Sequence, residues 1–151
     1  MLTRIEIPGL FPSLNEYTTA NRSNPAGANA VKHAAMRRVI AACNACGAQP
    51  VETPADVCIL WVEESRRRDW DNVTYAAKFI LDGLKEAGVI PDDSQAYIPK
   101  PAANVGAIDK SNPRVVVLVA PHDPRTLNMQ AFGEAIRKEI GYNPWNDAGR
   151  M

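Results

Sequence analysis

The hydrophobic and polar positions of this chain follow two different periods. Strand-like alternation or short apolar runs occur over 2–7, 56–63 and 114–120, with a weaker fourth segment at 96–101. The run at 114–120 is rich in valine, which predicts a central strand. Apolar residues recur every three or four positions over 29–45, 72–87 and 129–140, which predicts helices. This order of strands and helices predicts an α/β fold: a mixed sheet of about four strands with helices packed on it.

The remaining segments divide the chain into a main domain and a tail. Residues 18–27 and 102–112 contain Gly, Pro, Asn and Ser, and we expect loops there. Pro121 ends the last predicted strand, so we assign residues 1–121 to one domain. Residues 122–151 form a linker, an amphipathic helix that Gly141 ends, and an irregular segment from 142. The apolar stripe of this helix either covers the edge of the core or contacts a second subunit.

The most informative stretch runs from Glu63 to Ile98. Asp71 or Asn72 is a suitable N-cap for the predicted helix, Gly88 suits its C′ position and Pro91 bars its continuation. If residues 69–71, Asp-Trp-Asp, are extended, both carboxylates share one face and Trp70 is free to be buried on the other.

A second acidic pair, Asp92 and Asp93, follows the helix. A strand running back beside the first would bring the two pairs together. Two like charges at about 4 Å repel by about 4 kcal/mol at an effective dielectric constant near 20, so gathered carboxylates need a proton or a cation. A set of oxygen ligands without His or Cys suits Mg²⁺ or Mn²⁺. The alternative is a solvated strand end and an ordinary turn.

The segments RRDWDN and KFILDGLKEAGVIPDDSQ give this stretch a specific resemblance. It resembles the RusA family of Holliday-junction resolvases, and Pro12-Ser-Leu-Asn-Glu-Tyr17 is similar to an element near the N-terminus of that family. The resemblance covers roughly residues 3–120. It implies a RusA-like α/β fold and a homodimer that resolves four-way DNA junctions by paired, Mg²⁺-dependent nicks, in recombination, repair or phage genome processing.

The resemblance also implies roles for individual residues. Asp69, Asp71 and Asp93 correspond to the catalytic, metal-binding acids, with Asp92 as the alternative to Asp93. Lys78 corresponds to the catalytic lysine when counted back from Leu-Asp-Gly-Leu, whereas counting forward from Asp-Trp-Asp-Asn selects Tyr75.

Candidate DNA contacts include residues next to these acids and two residues of the N-terminal segment. They are Arg66, Arg67, Arg68, Asn72, Asn15 and Arg22. Arg37 and Arg38 form a second basic cluster that we interpret as a solvated face. The 17 basic and 17 acidic residues give a formal net charge of zero, so bulk charge does not favour nucleic-acid binding. The alternative function is a non-catalytic DNA- or protein-binding module that retains the fold.

Composition bounds the remaining classes. Cys43, Cys46 and Cys58 lack a second Cys-x-x-Cys or a paired His motif, so we expect reduced thiols and find little support for a zinc or redox protein. No apolar run approaches the ~20 residues that span a bilayer. The N-terminus has no apolar signal region. We expect no membrane association and a cytoplasmic location, and the resemblance implies a bacterial host cell.

Overall fold

The computed structural model describes residues 1–147, so the last four positions of the predicted irregular tail lie outside the described residues. Its elements, in chain order, are β1 (Thr3–Pro8), α1 (Leu14–Ser23), α2 (Pro25–Ala45), β2 (Ala55–Glu63), α3 (Trp70–Thr74), α4 (Ala77–Glu86), β3 (Ala103–Ile108), β4 (Arg114–Pro121) and α5 (Met129–Ile140).

The strands form one four-stranded mixed sheet in the order β1-β4-β2-β3. β4 pairs antiparallel with both β1 and β2, while β3 pairs parallel with β2. The valine-rich strand β4 is therefore central, as predicted. The predicted α/β class, with a mixed sheet of about four strands and packed helices, is confirmed.

Both faces of the sheet are covered. All nine residues of β2 are buried, and successive side chains point to opposite faces. Val57, Ile59 and Trp61 join the larger core with residues from α2 and α4. Cys58, Leu60 and Val62 join a smaller core on the other face. A strand buried on both faces explains why residues 57–62 form a continuous apolar run.

Helix α5 supplies the cover of the smaller core. Phe132 and Ile136 are buried against the sheet. A polar network fixes the linker before the helix: buried Asp56 pairs with His122 at 2.6 Å and accepts a hydrogen bond from Asn128 Nδ2 at 2.8 Å. Of the two alternatives for the apolar stripe of this helix, the structure shows the one in which it covers the core.

The predicted loop at 18–27 is wrong, because most of it is helical. Ser13 Oγ accepts a hydrogen bond from the Glu16 amide at 3.1 Å and so caps α1. Asn24 Oδ1 caps α2, and Pro25 occupies its first turn. The spacing Ser13-x-x-Glu16 and the pair Asn24-Pro25 are helix-start signals, and they outweigh the loop-like composition of the segment.

The predicted strand at 96–101 is also wrong, and the strand lies inside the predicted loop 102–112. Residues 95–97 form a turn, and β3 begins at Ala103. Most residues of β3 are small, including Gly106, so its apolar pattern is weak. Its pairing with β2 supplies the order that the local sequence does not predict.

The predicted helix at 72–87 is divided into α3 and α4, with Tyr75 and Ala76 between them. It begins at Trp70, with Asp69 rather than Asp71 or Asn72 at the N-cap. Its end is as predicted, because Gly88 adopts a positive φ of 79° after α4. Among residues 1–147, no helix is both long and apolar enough to cross a lipid bilayer.

Candidate active site

The loop that leads into the predicted acids is fixed by a buried ion pair. Glu63, at the end of β2, has a side chain only 5% exposed. Arg68 donates from Nε to Glu63 Oε1 at 2.8 Å and from Nη2 to Oε2 at 3.3 Å. Its Nη1 donates to the Phe11 carbonyl at 2.7 Å. The guanidinium of Arg68 is thus engaged within the protein. Its contacts anchor the chain immediately before Asp69.

Asp69 and Asp71 are both exposed at the start of α3. Asp69 is the extended N-cap residue, and Asp71 lies in the first helical turn. The extended Asp-Trp-Asp arrangement, which would have allowed Trp70 to be buried opposite the two acids, is not formed, since Trp70 is the first helical residue and remains 50% exposed. Alternation of side chains does not apply once the helix has begun.

The N-terminal element contacts the segment that carries the acids. The Asn15 amide donates to Asn72 Oδ1 at 3.1 Å, which joins the start of α1 to α3. Tyr17 and Tyr75 have ring centroids 5.5 Å apart, and both rings lie 5.7 Å from Phe79. Burial raises the pKa of Tyr75, and the neighbouring Tyr17 contributes to the rise. Tyr75 is therefore an aromatic packing residue with a neutral phenol.

Lys78 lies between two carboxylates. Its Nζ is 3.3 Å from Asp82 Oδ1 and 3.9 Å from Asp93 Oδ2. Asp92 pairs instead with Lys85 at 3.2 Å, and the hydrogen bond from Lys85 lowers the pKa of Asp92. Of the two adjacent acids, Asp93 is the one that contacts the predicted catalytic lysine.

The structure does not gather the two acidic pairs into one cluster. The loop after α4 is held to that helix by the ion pairs of Asp92 and Asp93, and the next strand, β3, runs parallel to β2. Within residues 1–147, no three His, Cys, Asp or Glu side chains are close enough together to hold a metal ion. A three-carboxylate centre is thus not assembled in this conformation.

The donor chemistry of Asp69 and Asp71 nevertheless fits a hard cation. Mg²⁺ takes oxygen ligands and keeps several waters when only one or two carboxylates bind it. Both carboxylates are exposed to solvent at the start of α3, where such a hydrated ion has access.

The remaining arginines that the sequence analysis named fall into two groups. Arg66, Arg67 and Arg22 are exposed. Arg38, which we expected on a solvated face, instead donates to the carbonyls of Pro8 and Leu10 at 2.6 and 2.7 Å and lies over the Phe11 ring. This arginine is a structural residue of the first loop, while Arg37 is exposed as expected.

All three cysteines are free thiols. Burial raises the pKa of Cys43 to about 11 and that of Cys58 to about 12, so both stay protonated and unreactive at neutral pH. Cys46 is exposed, and Cys43 is buried on the inner face of α2.

Sequence reasoning missed a cleft that is lined by Trp70, the residue between the two acids. It has a volume of about 420 Å³ and is lined by Arg66, Arg68, Trp70, Gly106 and Tyr142, among others. The glycine in a strand was the available sign, because an isolated Gly in a strand often marks the close approach of another group.

Neither the protein-family models nor the curated proteins contain a match to this chain.

Proposed function

We propose that this protein is a metal-dependent, structure-specific endodeoxyribonuclease of the RusA type that resolves four-way DNA junctions by paired nicks. The proposal rests on the sequence resemblance and on what the fold does with the segments that carry it. It makes Asp69 and Asp71 the central catalytic acids.

One observation supports the proposal most strongly. Three segments that are distant in sequence, around Asn15, Asn72 and Asp93, meet along α3 and the start of α4 through the Asn15–Asn72 hydrogen bond and the Lys78–Asp93 ion pair. The segments with the family-like motifs are therefore neighbours in space. Scattered positions of these motifs would have argued against a shared site.

The contacts of Lys78 and Tyr75 favour the lysine as the cation of the site. Lys78 is 64% exposed and contacts Asp93, whereas Tyr75 packs against Tyr17 and Phe79. A lysine at this position supplies positive charge to a phosphate under attack. Asp82 and Asp93 hold its amine within ion-pair distance, so they are positioned to orient it.

Asp69 and Asp71 would hold the metal, which supplies Lewis-acid polarisation of the phosphate and activation of a water. Glu63 and Arg68 fix the chain immediately before these acids. We infer that Asp93 orients Lys78 in the DNA-free protein. It becomes a metal ligand only if DNA binding breaks this ion pair.

The test is a nicking assay on a synthetic four-way junction in Mg²⁺. Linear duplex, fork and flap DNA of matched sequence serve as controls, with EDTA in place of Mg²⁺ as the metal control. We expect paired nicks in the junction with Mg²⁺ and little cleavage of linear duplex. Absence of cleavage from every branched substrate in both Mg²⁺ and Mn²⁺ would overturn the proposal.

The second candidate is a non-catalytic module that binds branched DNA or protein. The separation of Asp93 from the other acids and the zero net charge favour this alternative. Tight binding of the four-way DNA junction without cleavage would support this alternative.

We further propose that the active form is a C₂ homodimer, because two opposed nicks need two sets of acids and each chain has one. Light scattering should give about twice the 16.5 kDa chain mass. A strict monomer that still makes paired nicks would contradict this part.

A further inference from the structure

The cleft beside α3, here called the Trp70 cleft, combines an exposed aromatic ring with basic residues. Its lining includes Arg66, Trp70, Gly106 and Tyr142, and its volume of about 420 Å³ is within the ~300–1,000 Å³ typical of ligand sites. Buried Glu63 and its partner Arg68 also line the cleft, as a neutralised pair. Arg66 is then the one lining cation, among the described residues, that no protein carboxylate neutralises.

Trp70 is held in the cleft by a close contact with strand β3. A Cβ atom at Gly106 would lie only 2.1 Å from Cη2 of the indole, so the ring occupies space that any other residue at 106 would fill. A side chain at position 106 would point to the sheet face that carries Trp70, because the neighbours Val105 and Ala107 are buried on the opposite face, in the smaller core. Half of Trp70 remains exposed despite this contact. An exposed tryptophan whose orientation is fixed by the backbone is suited to stacking.

A second, smaller cleft adjoins the first. It has a volume of about 300 Å³, is lined by Glu64, Ser65, Arg67 and Lys110, and shares Ser65 with the Trp70 cleft. Arg67 and Lys110 outnumber Glu64, so this cleft carries a net positive charge. An aromatic surface beside a positively charged groove is the combination that proteins use for unpaired nucleic-acid strands.

We propose that the Trp70 cleft binds an unpaired nucleobase, which stacks on the indole while Arg66 and the neighbouring Arg67–Lys110 cleft contact the flanking phosphates. A paired base inside a duplex has no free face for such stacking, so the site selects a base that has left the stack, as at a branch point. Trp70 lies between Asp69 and Asp71 in sequence, so the bound base would lie at the same end of α3 as these acids, although neither acid lines the cleft. This inference rests on the proposed function for its substrate class, but its test does not require cleavage.

The test measures binding in EDTA by fluorescence anisotropy with two labelled strands. One is an eight-residue oligothymidylate, and the other is an abasic strand of the same length and charge. Stacking of one base on an aromatic ring contributes about fivefold to 150-fold in affinity. We expect the wild-type protein to prefer the oligothymidylate by a factor in this range.

Three variants separate stacking from charge. Trp70→Leu should lose the preference for oligothymidylate and keep its affinity for the abasic strand, while Trp70→Phe should retain most of the preference. Gly106→Ala keeps the indole but displaces it, so it should weaken oligothymidylate binding and leave abasic binding unchanged. Tyr97→Leu, which removes an exposed aromatic that does not line the cleft, is the matched control and should bind as the wild type.

The outcomes are distinct from those of the nicking assay. Equal affinity of the wild-type protein for both strands, or unchanged binding by a folded Trp70→Leu variant, would overturn the stacking inference even if junctions are cleaved. A base preference that depends on Trp70 would support the inference even if no cleavage occurs. Circular dichroism of each variant checks that the fold is retained.

Discussion

Removal of Arg68 should destabilise the folded protein, because its guanidinium binds Glu63 and the Phe11 carbonyl. The Glu63 side chain is 5% exposed and receives two hydrogen bonds from the Arg68 guanidinium, at 2.8 and 3.3 Å. Arg68→Ala leaves this carboxylate buried without those donors and also removes the donor to the Phe11 carbonyl. Breaking a buried pair on one side costs about 3–5 kcal/mol, because the remaining charge is uncompensated.

The free energy of unfolding should fall by about 3 kcal/mol, the lower end of this range. The Arg68 side chain is 21% exposed, so water can reach part of the space that the substitution leaves. For a chain of this length, each 1 kcal/mol lowers Tm by about 2–4 °C, so Tm should fall by about 6–12 °C. Thermal unfolding followed by circular dichroism, with urea unfolding beside it, measures both quantities.

Two controls test the physical cause. Arg67→Ala removes an adjacent, exposed arginine and should change the free energy of unfolding by no more than about 0.5 kcal/mol. Adding Glu63→Gln to Arg68→Ala removes the buried charge and should recover part of the stability. If Arg68→Ala costs less than about 1 kcal/mol, or if Glu63→Gln gives no recovery, the account of this ion pair as the anchor of the site is wrong.

Two further predictions concern α4. Gly83→Ala places a Cβ 2.6 Å from Val39 Cβ and should lower the free energy of unfolding by about 1–3 kcal/mol, despite the better helix propensity of alanine. Equal stability of Gly83→Ala and wild type in urea would contradict this packing. Lys78→Ala should fold normally, since loss of its pair with Asp82 costs only about 0.3–0.5 kcal/mol of stability. It should still bind junctions but cleave them at least about a hundredfold more slowly in single-turnover assays. Near-normal cleavage would assign Lys78 to the ordinary helix surface.

The fold was predictable where the buried residues form a clear strand or helix pattern in the sequence. Strands β2 and β4 and helix α5 show strong apolar patterns, and the structure confirms each of them. Strand β3 was missed because its order comes from pairing with β2, which no local pattern encodes. Helix α1 was missed although its capping residues were present, since the loop-like composition was given more weight than Ser13-x-x-Glu16.

The candidate site was predictable in its segments but not in its contacts. The sequence predicts the two acids near the start of a helix and Lys78 further along it, and the structure has Asp69 and Asp71 at the start of α3 and Lys78 in α4. It could not indicate that Arg68 turns inward to a buried glutamate, because an inward and an outward arginine look alike in sequence. The orientation of Trp70 was also hidden, because it depends on Gly106, 36 positions further along the chain.

The central claim is that the carboxylates at the start of α3 cleave DNA. Nicking of a four-way junction in Mg²⁺ by wild type, Asp71→Asn and Glu52→Gln tests it most directly, the last variant neutralising an exposed carboxylate before β2. We predict that wild type and Glu52→Gln nick the junction at equal rates, whereas Asp71→Asn binds it at least as tightly, since a negative charge facing the polyanion is removed, and makes no nicks. Cleavage by Asp71→Asn at the wild-type rate would contradict the account.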